Sequence, residues 1–175
     1  MTSVSTRMRA YDALVLPVLL YNCGTWGVSD ATIEKVEVFH RRQLREVLGV
    51  RTRDIRSVEL YKRCNTTPLR SRILVARWSL FGHILRLDRD TPAQLAMDYY
   101  SQPKKEQTGK DGRPVTTLPV VLFNEYRKYK EDKKEKRWTV KKTSLEILEE
   151  LRELARDRGK WRAIVEDVLS LDSKA

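Results

Sequence analysis

The chain has 175 residues, 41% of them apolar and 34% charged, with a formal net charge of +11. That length fits one ordinary domain, or one domain with an appendage, and leaves enough apolar mass for a core. The two cysteines, Cys23 and Cys64, are too few for a disulfide framework, and the apolar stretch from Ala13 to Leu20, interrupted by Pro17, is too short to span a bilayer.

The hydrophobic period is helical throughout, which predicts an all-α fold, an irregular multi-helix bundle. A first helix is expected over residues 4–21, kinked or restarted by Pro17. A turn with Gly24 and Gly27 leads to a second helix over 31–48, capped by Ser29 or Asp30 and stopped by Gly49. On a helical wheel Ile33, Val36, Phe39, His40, Leu44, Val47 and Leu48 share the buried half. Arg41, Arg42 and Arg45 gather on the other side, and Val38 breaks the pattern by pointing toward them. His40 reads as a core histidine.

A short helix around 57–64 follows. Thr67 and Pro68 form a start signal for a long helix to about Leu87. Leu69, Ile73, Ala76, Leu80, Ile84 and Leu87 make one apolar stripe on it, and Leu74, Trp78, Phe81 and Leu85 make another. A helix with two stripes is packed on two sides and is taken as the central element. Its remaining strip carries Arg72, Val75, Ser79, Gly82, His83 and Arg86. Thr91 and Pro92 repeat the start signal for a helix to about Tyr100.

Residues 1–100 are therefore expected to form a helical core. Residues 101–118 read as a basic Gly/Pro loop, and 119–175 as a C-terminal helical segment with a charged linker at 130–142. Within that segment Pro119 opens a helix to about Lys130. Ser144 caps another, which runs on or restarts after Gly159.

The charge is unevenly placed. Residues 41–89 hold thirteen Arg/Lys against four Asp/Glu, nearly all Arg, and residues 101–142 hold thirteen against six, mostly Lys. A basic excess speaks of partners, nucleic acid or an anionic membrane before all others. Arg suits bidentate phosphate contact, whereas Lys is a hydrated point charge.

Five strings come in order along the chain: Leu19, Leu20 and Tyr21 with Thr25 and Trp26; Leu44 through Val50; Phe81 through Arg86; Gly112, Arg113 and Pro114; and Asp157 and Arg158 with Trp161 and Arg162. Together they resemble the region downstream of the polymerase core in LINE-type (non-LTR retrotransposon) reverse transcriptases, over roughly residues 10–168. The chain departs from that pattern at Asn22, Gly24, Leu80 and Leu118. The family's chemistry needs paired aspartates holding two metal ions, and no Asp-Asp pair occurs in this sequence.

The resemblance implies a thumb and connector segment of an RNA-directed DNA polymerase, without the palm or the endonuclease. Such a segment is not an enzyme on its own and needs no cofactor or metal. Its partners would be RNA, DNA or an RNA–DNA hybrid held by phosphate contacts, and a separate reverse-transcriptase core. Its setting would be intracellular and nuclear, with no membrane partner.

The candidate nucleic-acid-binding residues are Arg41, Arg42, Arg45, Arg72, His83, Arg86 and Arg113. For each a structural role stands beside the functional one. The three arginines from 41 to 45 could be a plain solvated face. Gly82 could admit a neighbouring helix, with His83 hydrogen-bonded at the core edge. Arg113 could lie in a rigid turn. Asp88 and Asp90 read as a helix end, not a metal pair. Asp157, Arg158 and Arg162 read as a charge cluster locking the last helix, with Trp161 as its anchor. Trp26 and Trp78 also read as core, while Trp138, in a charged run, is the tryptophan suited to a partner. Lys133 through Arg137 match a nuclear-localisation pattern weakly. Two other functional classes remain open: a protein-interaction module docking a polymerase palm or a new partner, and a translated remnant with no selected activity.

Overall fold

Pro17 shapes the first helical stretch of the computed structural model, which describes residues 2–102, 117–133 and 142–172. Helix α1, Val4–Ala10, is capped by Ser3, whose Oγ accepts the Thr6 N–H at 3.1 Å. One π-helical turn, Tyr11–Val15, precedes α2, Leu16–Leu19, with Pro17 in its first turn. Proline offers no N–H to the carbonyl four residues back, and its ring crowds that turn. Widening the preceding turn relieves both problems, so the expected kink takes the form of a π bulge.

The remaining helices are α3 (Asp30–Leu48), α4 (Ser57–Cys64), α5 (Leu69–Leu85), α6 (Pro92–Ser101), α7 (Leu118–Asp132), α8 (Ser144–Arg156) and α9 (Arg158–Asp172). Among the described residues there is no strand, and the fold is all-α as expected. No described helix is long and apolar enough to cross a membrane. Gly49 ends α3 at φ 70°, where the Val50 N–H returns to the Arg45 carbonyl at 3.1 Å. Asn65 ends α4 in the same left-handed region, at φ 48°.

Several expected boundaries move; α5, for one, begins at Leu69, one residue past Pro68. Thr143, not Ser144, caps α8: its Oγ1 accepts the Glu146 N–H at 3.3 Å, and the Glu146 carboxylate accepts the Thr143 N–H at 2.6 Å. That is a reciprocal capping box. The break before α9 falls at Asp157, before Gly159. The Asp157 Oδ1 accepts the N–H groups of Gly159 (2.8 Å) and Lys160 (3.1 Å), so this carboxylate caps a helix and does not lock a cluster with Arg158 and Arg162.

Contacts divide the chain into two units, one of Met1–Cys23 with Ser29–Leu74, the other of Gly24–Val28 with Val75–Ala175. The division falls inside α5, within the segment 1–100 that the sequence suggested as one core.

In the first unit α3 packs against α1 and α4. Met8, Leu16, Ile33, Leu44, Leu60, Leu69 and Ile73 are buried. His40 is fully buried, as expected: its Nδ1 meets the Tyr11 hydroxyl at 2.7 Å, and its ring stacks with those of Tyr11 and Tyr61. Burial holds the His40 pKa below the usual imidazole value and pushes Tyr11 up to about 12. Glu37 is the surprise of this core. It accepts the Tyr61 hydroxyl and, at 2.9 Å, the Arg70 N–H. A carboxylate from α3 thus sits at the N-terminus of α5, where unsatisfied amides and the helix dipole favour an anion.

In the second unit Trp78 is fully buried and donates to Glu125 at 2.8 Å. Arg77, beside it, is 1% exposed, pairs with the same carboxylate, and donates to the Trp26 carbonyl at 3.2 Å. Trp161 is anchored as expected, its indole N–H reaching the Trp78 carbonyl at 3.0 Å. Its ring lies over Gly82, where any Cβ would come within 3.0 Å of the indole. Gly82 therefore admits a helix, the structural alternative weighed for it.

Arg152 is buried and donates to Gln94 at 2.8 Å, Asp98 at 2.7 Å and Glu149 at 2.5 Å. Gln94 in turn donates to the Ile84 carbonyl at 2.7 Å, at the end of α5. Helix α6 is consequently inside out: Gln94, Met97 and Ser101 are buried, while Leu95, Tyr99 and Tyr100 are more than half exposed.

Candidate nucleic-acid interface

Helix α3 is amphipathic with a 3.6-residue period, so burying Ile33, Glu37, His40 and Leu44 turns a defined strip outward. Lys35, Val38, Phe39, Arg42 and Glu46 are exposed along it. Phe39 corrects the helical-wheel expectation. It is 42% exposed, because it stands at the edge of the apolar half, about 100° or more round the helix from the buried Ile33, Glu37, His40 and Leu44. Val38, at 52% exposed, points outward as expected.

The seven candidate residues fare differently. Arg41 is partly buried and pairs with Glu34 at 2.6 Å. Arg42 is exposed and makes no ion pair with a described residue. Arg45 is half-buried and likewise has no carboxylate partner, and its Nε is enclosed without an acceptor. Arg72 is held by two hydroxyls, Thr66 Oγ1 at 2.9 Å and Thr67 Oγ1 at 3.3 Å. These four belong to the first unit.

His83 and Arg86 belong to the second. The His83 ring is exposed and makes no hydrogen bond to a described residue, so the expected core-edge bond does not form. Arg86 donates to the Ala155 carbonyl at 3.2 Å, near the C-terminal end of α8, where orphan carbonyls want a cation. Burial and the nearby Arg158 charge lower its pKa. Arg113 lies outside the described residues, as do Gly112, Pro114 and Trp138.

Lys35, Arg56 and Lys62 were not singled out by sequence reasoning, yet each is exposed and has no ion pair among the described residues. The local deficit of acids was the only signal. Nearby cations do find partners: Arg51 and Arg53 share Asp54, Arg63 meets Glu59 at 2.8 Å, and Arg70 meets Asp30 at 3.0 Å. Among the described residues, the first unit thus leaves without a carboxylate partner Lys35, Arg42 and Arg45 on α3 and Arg56 and Lys62 near and on α4, besides Arg7 and Arg9 on α1 and Arg72 on α5. Glu46 sits among them as an opposing charge, four residues past Arg42 and unbridged to it.

Chemically, such a surface can hold a polyanion. Among the described residues no group of His, Cys, Asp and Glu is arranged to hold a metal ion. Cys23 and Cys64 are both buried, and neither is in a disulfide. Comparison with known protein families, curated proteins and solved structures found none that matches this chain.

Proposed function

We propose that this chain is a non-catalytic nucleic-acid-binding segment, related in character to the thumb and connector of a LINE-type reverse transcriptase. It grips phosphates through the outer side of its first unit. The observation that carries the reading is the set of cations on and beside α3 left without carboxylate partners among the described residues, in a chain of net charge +11. Nucleic acid carries a condensed counterion atmosphere; cations that neutralise its phosphates release those counterions, and that release drives association. RNA, DNA and their hybrid are equally suitable by this criterion, since phosphates carry the contact.

The test is the salt dependence of affinity for a labelled oligonucleotide. With Lys35, Arg42 and Arg45 in contact, log Kd plotted against log salt should rise with a slope of about 2 to 3, near 0.7–0.9 per neutralised phosphate. A slope near zero, or no binding at low salt, contradicts the proposal.

A second reading rests on α6. Its outward Leu95, Tyr99 and Tyr100 form an uncharged apolar face, which suits a protein-interaction module docking a polymerase core or another partner. That association would be insensitive to salt.

A further inference from the structure

Phe39 is the feature of the α3 strip that phosphate binding leaves unexplained. It lies four residues after Lys35 and three before Arg42, spacings that make side chains neighbours on a helix surface. All three are exposed, and neither cation has an ion pair among the described residues. An aromatic ring is thus set between two positive charges on a convex helix face, with Val38 beside it.

We propose that the α3 strip recognises unpaired nucleic acid, one base stacking on the Phe39 ring while neighbouring phosphates meet Lys35 and Arg42. The inference rests on the phosphate-binding reading and names its substrate class. Sequence-tolerant readers of single strands combine a cationic track with aromatic rings, because every base has a π face. In a duplex those faces are covered by stacking, and a protein reaches only base edges and backbone. An acidic peptide would satisfy the two cations but gives Phe39 little to bind, since apolar peptide anchors are held in pockets and this ring stands on an outward helix face.

The experiment compares a fluorescent single-stranded oligothymidylate with a duplex of equal length, by anisotropy at one salt concentration, in the full chain. The single strand should bind at least fivefold more tightly. Phe39→Ala should weaken it about five- to a hundredfold, the range for removing a stacked ring, and change duplex affinity less than twofold. Phe39→Leu, which keeps apolar bulk, should show most of the same loss, with circular dichroism confirming that both variants fold. An abasic strand should bind the native chain as weakly as the normal strand binds Phe39→Ala.

Equal losses on both nucleic acids overturn the stacking role. So does unchanged single-strand binding by both Phe39 variants while Lys35→Glu and Arg42→Glu still weaken it, a result that leaves phosphate contact intact. Displacement of the strand by polyglutamate as readily as by oligothymidylate at equal charge also overturns it, in favour of an acidic protein. Failure of the native chain to bind either nucleic acid removes the underlying reading as well.

Discussion

Among the described residues, the first unit leaves cations on α3 and α4 without carboxylate partners, whereas the second builds its most buried cations into its own frame. Arg77 is locked between Glu125 and the Trp26 carbonyl, Arg152 among Gln94, Asp98 and Glu149, and Arg86 on the Ala155 carbonyl. Lys130 and Lys142 meet Glu150, and Lys133 meets Asp167. The difference teaches that a count of basic residues measures two things at once. A buried guanidinium organises a core, since its desolvation must be matched by acceptors. An exposed one without a carboxylate is available to an outside anion.

The sharpest way to break the contrast is to remove an internal partner. Glu125→Ala leaves the Arg77 charge buried and the Trp78 indole N–H unsatisfied, and should destabilise the second unit by about 3–5 kcal/mol. Chemical denaturation monitored by tryptophan fluorescence reads this, because Trp78 and Trp161 both lie in that unit. A loss below about 1 kcal/mol would mean that Arg77 is not held as described.

Next in size is Gly82→Ala. Alanine raises helix propensity by about 1 kcal/mol, but its Cβ collides with a packed indole, and overpacking costs about 1–3 kcal/mol. Net destabilisation is expected in the same denaturation measurement, and a stabilised variant would show that Trp161 can move aside.

Smallest is a pH effect in the first unit. Burial keeps His40 neutral when folded, so the unfolded chain takes up a proton first as pH falls. Stability from this source is complete above the unfolded imidazole pKa of about 6.5 and is lost as pH drops below it toward the lowered folded pKa. Thermal melts at pH 7.5 and 5.5 should show a lower midpoint in acid, and His40→Gln should reduce the difference. Equal sensitivity in the variant would place the effect elsewhere.

Much of this was legible in the sequence. Helix positions followed from period and punctuation: Gly49 ends α3 in the left-handed region and Thr91 with Pro92 opens α6, while α5 begins at Leu69, one residue past the Pro68 expected to open it. His40 and Trp161 went to the core because each lies on an apolar stripe. Phe39 and Glu37 could not be placed that way. Phe39 stands at the edge of the apolar half, where period alone does not decide burial. Hydrophobicity ranks glutamate outside, and the burial of Glu37 depends on the N-terminus of α5 and the Tyr61 hydroxyl, both supplied by distant sequence. Arg77 and Arg152 were invisible for the same reason, since all their acceptors but Glu149 lie about fifty or more residues away.

The distinction between unpaired cations and net charge can be measured directly. Lys35→Glu, Arg42→Glu and Arg45→Glu together should weaken oligonucleotide binding at least tenfold and flatten its salt dependence. The matched reversal of Arg89, Lys133 and Arg156, each exposed and paired with a carboxylate in the second unit, imposes the same change in net charge and should cost less than threefold. Equal losses from the two triple variants would show that attraction follows total charge, and that α3 is no interface.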